Sequence, residues 1–392
     1  MKKVKQIPIT RPTLEPFSAY APLFKKSLKT GMLTNGEHVH EFERRAAKYL
    51  GVKHCVAVSS CTAGLTLVLK GLRIKGEVIL PSFTFGASGH PVLWNNLTPV
   101  FADIDPDTYT LDPHSIEKCI TKKTSAILGV HVYGVPCGVK ALRRIARKYK
   151  LKLIFDAAHA FGSLVGRARV GSFGDAEVFS LSPVKPLTAA EGGLVATNDD
   201  ALAQYVRLGR NYGDDGTNSM LFAGLSARMS ELHAAVALRS LTKLSQNLKS
   251  RRAKARYLKS ALQKVEPRLQ FQKIPAGVRT TYYIFSVLVG PALGYTRDEL
   301  YEFLQKQGIR SRKYFYPPLH AQPAFRAFVP RAPLAATERV ARHVLALPMY
   351  SHIKKHELDR VAAAFRRFVT IQERRATGIK ASKKVPSCRS RQ

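Results

Sequence analysis

The sequence predicts an α/β fold in which a mostly parallel sheet lies between layers of helices. Short apolar runs recur through the first half of the chain, separated by loops or by segments with helical spacing. This alternation is typical of parallel sheets, whose ligands bind beyond the carboxyl ends of the strands. The seven runs that we expect to form strands are residues 55–58, 77–80, 98–103, 125–130, 151–156, 176–181 and 193–197.

Helical segments flank these strands. Residues 38–50 carry apolar side chains at helical spacing, and a basic segment near residues 138–149 is expected to form another helix. Ser60 precedes a third helical segment, where its hydroxyl can cap the helix and the first-turn N–H groups can bind a phosphate. Capping alone explains such serines in most proteins, so a phosphate site needs support from other residues.

The second half predicts a smaller α+β domain. A helix over residues 230–263 contains the expected boundary, so we place a large cofactor-binding domain with an N-terminal arm at residues 1–245 and a small domain at residues 246–375. Residues 376–392 are basic and are expected to form a disordered tail. The predicted elements of the small domain are a strand over residues 282–289, a helix after Thr296 and a closing helix over residues 355–368.

Composition favours a soluble globular protein of the cytoplasm. The chain has 392 residues, of which 45% are hydrophobic, enough for a large core. No apolar run approaches the roughly 20 residues that cross a bilayer, and the basic N-terminus leads into no apolar segment of a secretory signal. The five scattered cysteines form neither a disulfide framework nor a CxxC pair, which favours a reducing compartment.

The net charge is strongly positive. The 63 lysines and arginines oppose 27 acidic residues, giving +36 at pH 7. Such an excess calls for a polyanionic partner, an anionic substrate or an unusual cellular background. The local peaks, at residues 143–150, 239–259 and from 366 onward, have the pattern of solvated helix faces or a chain end, so we do not expect nucleic acid to be the partner.

Lys185 is the candidate for covalent chemistry. It lies between the apolar run at residues 176–181 and the pair Gly192-Gly193. A lysine at the end of a buried strand is partly desolvated, which favours the neutral amine and its use as a nucleophile or imine former. Most such lysines are solvated loop residues, but Asp156 ends the preceding strand, and we expect both side chains to point into one crevice.

This pair has the chemistry of a pyridoxal phosphate site. The lysine holds the aldehyde, and the carboxylate keeps the pyridine nitrogen protonated so that the ring acts as an electron sink. The turn at residues 59–63 and the hydroxyl of Ser180 are suited to bind the phosphate. Phe85 is placed to stack on the ring, although core packing is the alternative for this side chain.

The chain resembles the fold-type-I, pyridoxal-phosphate-dependent sugar aminotransferases of the DegT/StrS-like group over residues 34–350, most of its length. No single motif is decisive, but many occur in the family's order. They are Ser60-Cys61-Thr62-Ala63 for the phosphate turn, Pro81-Ser82-Phe83-Thr84-Phe85 for the stacking loop, Phe155-Asp156-Ala157-Ala158-His159-Ala160 for the aspartate segment, Ser180 through Lys185 to Glu191-Gly192-Gly193 for the lysine segment, and the later segments 228–235, 316–320 and 347–350.

The resemblance implies a cofactor, a reaction and an assembly. Pyridoxal 5′-phosphate would be held by Lys185, which also moves a proton between two carbons. An amino group would pass from an amino acid, glutamate, to a keto group of a nucleotide-diphosphate-linked sugar in amino-sugar and polysaccharide biosynthesis. The protein would act as a homodimer with shared active sites. The implied site residues are Lys185 and Asp156 for catalysis, and Ser60, Cys61, Thr62, Phe85, His159, Ser180 and Ser226 for the cofactor.

Three positions depart from the family's pattern. Cys61 replaces a usual glycine, which predicts a tighter phosphate turn or an exposed thiol. Ser226 stands where an asparagine of the partner subunit usually reaches the phosphate, and Thr280 replaces a common histidine in the substrate region. Lys185 and Asp156 are both present, so the departures bear on substrate choice more than on cofactor binding.

Two other motifs are set aside. The segment from Ser182 to Lys185 is formally SxxK and residues 29–31 are formally KTG, but penicillin-recognising enzymes need KTG late in the chain. Ser182 is therefore interpreted as a bystander. His38 and His40 face apart on a helix, so we expect no metal site.

Two further functions stay open. A dehydratase of the same scaffold would carry histidine in place of Lys185, whereas an aromatising synthase would keep the lysine. The other alternative is a non-catalytic regulatory or nucleic-acid-binding protein, motivated by the charge of +36, which would bind arbitrary DNA with a steep salt dependence.

Overall fold

The computed structural model describes residues 6–377, so all but the first two residues of the tail expected at 376–392 lie outside the described part. The helices are α1 (Phe17–Thr30), α2 (Glu37–Leu50), α3 (Cys61–Gly71), α4 (Gly86–Trp94), α5 (Pro113–Cys119), α6 (Val139–Lys148), α7 (Asp200–Gly209), α8 (Glu231–Val265), α9 (Arg297–Lys306), α10 (Ala335–His343) and α11 (Lys355–Ala376). The strands are β1 (His54–Val58), β2 (Glu77–Pro81), β3 (Thr98–Ala102), β4 (Thr124–Val130), β5 (Lys152–Asp156), β6 (Leu164–Val165), β7 (Ala168–Arg169), β8 (Ala176–Ser180), β9 (Gly193–Thr197), β10 (Gln270–Phe271), β11 (Val278–Arg279), β12 (Phe285–Leu288) and β13 (Val344–Leu347).

The seven predicted strands form one sheet in the order β1-β9-β8-β5-β4-β2-β3. The strands from β8 to β3 pair in parallel, which confirms the predicted α/β class. β9 is the exception, because it runs antiparallel to both β1 and β8. An apolar run indicates that a strand is buried but carries no information on its direction, so the sequence pattern did not predict this reversal.

Helices cover both faces of the sheet, as alternate side chains of one strand show. Val178 of β8 packs in the same buried cluster as Leu65 of α3. Phe179, the next residue, points to the opposite face and packs with Phe42 of α2. Because successive side chains of a strand alternate between faces, an all-apolar strand is the expected sequence for a sheet buried on both sides.

Helix α8 connects the two halves of the chain. In its first half, Leu238 and Leu244 are buried against the main sheet's helix layer, and in its second half, Leu258 and Leu262 are buried with the C-terminal segments. These segments include a second, antiparallel sheet in the order β10-β12-β13. The domain boundary after residue 245 falls within this continuous helix and stays a prediction.

The N-terminal arm contacts the C-terminal segments. The backbone N–H of Ile7 donates to the carbonyl of Gly308 at 2.8 Å, and the N–H of Met349 donates to the carbonyl of Ile9 at 3.0 Å. Ile7 is buried with the same cluster as the second half of α8. The arm that we grouped with the large domain therefore packs on the C-terminal segments.

Two observations bear on the protein's surroundings. No helix within residues 6–377 is long and apolar enough to cross a bilayer. The four cysteines in this part of the chain, Cys55, Cys61, Cys119 and Cys137, are free and buried.

Candidate active site

A cavity of about 340 Å³ lies at the carboxyl ends of β5 and β8. This is the edge of a parallel sheet where ligands bind, and the volume lies within the range of small-molecule sites. Its polar and aromatic lining consists of Ser60, Thr62, Thr84, Phe85, Ser88, Asp156, His159, Ser180, Ser182, Lys185, Glu191, Tyr283, Tyr314 and Phe315, together with the thiol of Cys61.

Lys185 lies on the connection between β8 and β9, which returns to the same edge of the sheet. Ser180 at the end of β8 pairs with Gly193 at the start of β9. The N–H of Leu181 donates to the carbonyl of Gly192 at 2.9 Å, which extends the pairing of β8 and β9 by one residue into their connection. Lys185 therefore lies in the loop that joins two adjacent, paired strands and not in a crossover to a distant strand.

Gly193 brings the lysine segment against the start of α3. A Cβ atom at this position would lie 2.4 Å from the carbonyl carbon of Ser60 and 2.6 Å from the backbone nitrogen of Cys61. No side chain fits at these distances, so the second glycine of the Gly192-Gly193 pair is required by close backbone approach. The same contact places the first turn of α3 at the cavity.

Ser60 caps helix α3. Its Oγ accepts a hydrogen bond from the backbone N–H of Ala63 at 3.1 Å. The remaining N–H groups of a first helical turn carry partial positive charge and suit an anionic phosphate. The Cys61 thiol at the next position is buried rather than exposed, and burial, with a smaller effect of the Asp156 carboxylate, raises its pKa well above the usual range.

Asp156 is the last residue of β5, and its side chain is 4% exposed. Oδ1 accepts the backbone N–H of Ala158 at 3.0 Å, and Oδ2 accepts the hydroxyl of Ser88 at 2.6 Å. Both oxygens are thus held by groups from different segments. A buried carboxylate in this cavity suits a protonated ring nitrogen.

His159 is a neutral donor in the cavity wall. Its Nδ1 accepts the backbone N–H of Tyr133 at 3.2 Å, so the proton of the neutral ring sits on Nε2. Burial lowers the pKa of His159 well below its usual value, and the charge of Lys185 adds to this effect. The imidazole is therefore uncharged at neutral pH.

The ring of Tyr283 contacts both Lys185 and His159. The Lys185 Nζ lies 4.1 Å from the centroid of the Tyr283 ring, and the His159 ring stacks on the same tyrosine at 4.4 Å. The buried Arg251 of α8 supports this segment, since its Nη1 donates to the carbonyls of Tyr282 at 3.2 Å and Tyr283 at 3.4 Å. Desolvation lowers the pKa of the Arg251 guanidinium to about 10.

The structure brings together most of the predicted site residues. Ser226 does not line this chain's cavity; it is exposed, and its Oγ lies 3.0 Å from the Tyr212 hydroxyl. The eight that do line it are Ser60, Cys61, Thr62, Phe85, Asp156, His159, Ser180 and Lys185. Their chemical roles stay predictions.

Sequence reasoning missed several lining residues. Ser182, interpreted as a bystander, lines the cavity, and its Oγ lies 3.3 Å from that of Ser180. Tyr283 and Phe315 come from the second half of the chain, where no spacing relates them to Lys185. Ser88 has the pattern of an ordinary first-turn serine, and only its contact with the carboxylate sets it apart.

A lysine and an aspartate in one cavity, beside a helix N-terminus at the carboxyl edge of a mostly parallel sheet, are the features that a pyridoxal-phosphate-dependent transferase needs. The chain belongs to the DegT/DnrJ/EryC1/StrS aminotransferase family, whose model matches residues 19–366. The protein is thus an aminotransferase with pyridoxal 5′-phosphate as its cofactor.

Three relatives show the extent of the likeness. The chain is 35% identical over 357 residues to a dTDP-4-amino-4,6-dideoxy-D-glucose transaminase of Escherichia coli, covering 90% of this chain and 95% of that one. It is 34% identical over 333 residues to a GDP-perosamine synthase of Caulobacter vibrioides, covering 84% and 89%. The solved structure of DesI in the presence of its TDP-sugar product matches with a TM-score of 0.89 and 37% identity, covering 96% of each chain.

The buried His159 predicts a pH-dependent stability. Its folded-state pKa is lowered, so the unfolded chain binds the proton first and the free energy of unfolding falls as pH drops below about 6.5. Between about pH 7.5 and about pH 5, we expect the wild type to lose more stability than His159→Gln, which has no proton to gain, up to a limit of about 2 kcal/mol set by the unfolded-state pKa. Urea denaturation across this range measures the difference, and equal losses in both proteins would contradict the assignment.

Proposed function

We propose that the protein transfers an amino group from an amino acid, glutamate, to a keto group of a nucleotide-diphosphate-linked sugar. The observation that carries the proposal is the shared cavity of Lys185 and Asp156 in a chain whose relatives are named as transaminases of dTDP-linked sugars or as a GDP-sugar synthase. The positive charge of the chain suits a substrate with a diphosphate. The product belongs to amino-sugar biosynthesis.

Each site residue has a defined task in this proposal. Lys185 holds the cofactor aldehyde. Its amine also moves a proton from one of the two reacting carbons to the other. Asp156 keeps the ring nitrogen protonated. When bound, the cofactor withdraws electrons from the substrate carbon attached to nitrogen, which makes that carbon acidic.

The remaining residues bind and orient. The hydroxyls of Ser60, Thr62 and Ser180, with the N–H groups around Cys61, receive the phosphate. Phe85 and His159, which both line the cavity, would flank the ring.

The alternative functions gain no support. Lys185 lines the cavity, whereas a dehydratase of this scaffold would carry histidine there, and none of the three relatives above is named as an aromatising synthase. The basic peak at residues 143–150 lies mostly on the exposed face of α6, the pattern of a solvated helix. The free, buried cysteines favour a cytoplasmic location, which stays a prediction.

We also infer a homodimer in which Ser226 of each protomer reaches the phosphate of the other. Three apolar side chains are exposed: Phe85 at the cavity, Leu33 next to the bridge between Thr34 and Ser230, and Leu221 in the loop that leads to Ser226. An interface between protomers would remove such apolar surface from water.

Replacing Lys185 tests the function. Lys185→Ala removes the amine that holds the cofactor and carries the proton, so we expect kcat to fall by roughly 10³-fold. The assay measures 2-oxoglutarate released from glutamate with a panel of nucleotide keto-sugars. Lys118→Ala, at an exposed position of α5, is the control and should retain activity. Equal activity in Lys185→Ala would refute the assigned role, and a cofactor-loaded wild type that aminates no nucleotide sugar would refute the substrate class.

Light scattering tests the dimer. The wild type should have twice the chain mass of 43.4 kDa, and Leu221→Asp should shift the protein toward one chain mass because a charge is buried at the interface. Val329→Asp is the matched control. Val329 is also exposed but lies near Arg331, which contacts Glu77 at the amino end of β2, away from the cavity. A monomeric wild type would overturn the dimer, and a dimeric Leu221→Asp would overturn this choice of surface.

A further inference from the structure

We propose that Ser88 is a positioning residue for Asp156, and that a relay of hydroxyls from Thr84 through Ser88 fixes the carboxylate in the cavity. The proposal rests on the proposed function, because it assigns Asp156 to the cofactor's ring nitrogen. It adds two residues that no motif singles out for this task.

The direction of the relay follows from counting protons. The Ser88 hydroxyl donates to Oδ2 of Asp156 at 2.6 Å, which uses its single proton. The Ser88 Oγ also lies 2.8 Å from the Thr84 Oγ1. In this second bond Ser88 has only a lone pair to offer, so Thr84 is the donor. The protons therefore point from Thr84 to Ser88 to Asp156.

Because these three residues are buried, the loss of one of their hydrogen bonds is costly. Thr84, Ser88 and Asp156 are 2%, 1% and 4% exposed, so water does not readily replace a lost hydroxyl. Hydrogen bonds to a carboxylate in a poorly hydrated site are stronger than those between neutral groups. Asp156 thus depends on this relay for one of its two oxygens.

The second oxygen is held from another segment. The backbone N–H of Ala158 donates to Oδ1 at 3.0 Å. Rotation of the carboxyl group about its bond to Cβ would break this bond and the bond from Ser88 together. The carboxylate plane is fixed by α4 on one side and by the loop after β5 on the other.

The first turn of α4 also connects the relay to the stacking residue. The Ser88 N–H donates to the carbonyl of Phe85 at 3.0 Å, so one helical turn places both the aromatic ring at the rim and the hydroxyl on the carboxylate. A shift of this turn would move two contacts to the same cofactor ring. Ser88 acts through Asp156, and its expected effect is on the orientation of that carboxylate.

Cofactor affinity gives a readout that does not depend on turnover. Trp94, the single tryptophan of the chain, ends the nine-residue helix α4 that contains Ser88. A helix of this length spans about 13 Å, so bound pyridoxal phosphate should quench the Trp94 emission, and titration yields Kd. Ser88→Ala should raise Kd by roughly 10- to 100-fold, the loss expected for a buried hydrogen bond to a charged group.

Kinetics separate positioning from general destabilisation. In cofactor-saturated Ser88→Ala, we expect kcat to fall by roughly tenfold or more with the KM for glutamate nearly unchanged, because Ser88 acts through Asp156 and not on the amino acid. Ser88→Thr keeps the hydroxyl and should restore both Kd and kcat. Wild-type Kd and kcat in a folded Ser88→Ala protein would overturn the proposal.

Thr84→Val extends the test to the start of the relay. It keeps the side-chain shape but removes the donor, so Kd should rise by roughly threefold, and this variant decides the question if Ser88→Ala does not fold. An unchanged Kd would overturn the relay. Thr124→Val is the matched control, because its buried hydroxyl donates to the Glu77 carboxylate at 3.2 Å on the opposite edge of the sheet. It should leave Kd unchanged.

The outcomes also separate this proposal from the function on which it rests. A wild type that neither quenches Trp94 with pyridoxal phosphate nor releases 2-oxoglutarate from glutamate refutes the proposed function. A wild type that does both, with Ser88→Ala equal to it, refutes only the relay.

Discussion

The close approach of Gly193 to the backbone of Ser60 and Cys61 is the constraint on which the site depends. It holds the start of β9 against the first turn of α3. Because β9 also pairs with β8, the connection that carries Lys185 stays at the same edge of the sheet as the helix N-terminus. The amine and the phosphate-binding turn are therefore brought together by backbone packing, before any side chain contributes.

The rest of the cavity is built on this edge from distant parts of the chain. Asp156 comes from the neighbouring parallel strand, and its carboxylate is held by Ser88 of α4. The aromatic wall comes from the second half of the chain, where the buried Arg251 holds the carbonyl of Tyr283. The imidazole of His159 beside Lys185 is neutral, because its burial in this site lowers its pKa.

The sequence predicted the sheet and the meeting of Lys185 and Asp156 in one cavity, because both depend on local patterns. All seven strands follow from apolar runs, and Lys185 and Asp156 follow from residue type at strand ends. The reversal of β9 was not predictable, since burial is independent of direction. Tyr283 and Phe315 were missed because their contacts with the first half depend on tertiary packing, and Ser88 was missed because a hydroxyl in a first helical turn is usually explained by capping. The exposure of the Cys61 thiol was not predictable either, because it depends on the tertiary packing that buries the thiol beside Asp156.

Reduction of the cofactor-loaded protein with borohydride, followed by peptide mass spectrometry, tests the central claim most directly. If Lys185 holds the cofactor aldehyde, the reduced adduct lies on the peptide that contains Lys185, and the absorbance of the loaded protein changes on reduction. An adduct on another lysine, or a loaded protein in which Lys185 stays unmodified, would contradict the account.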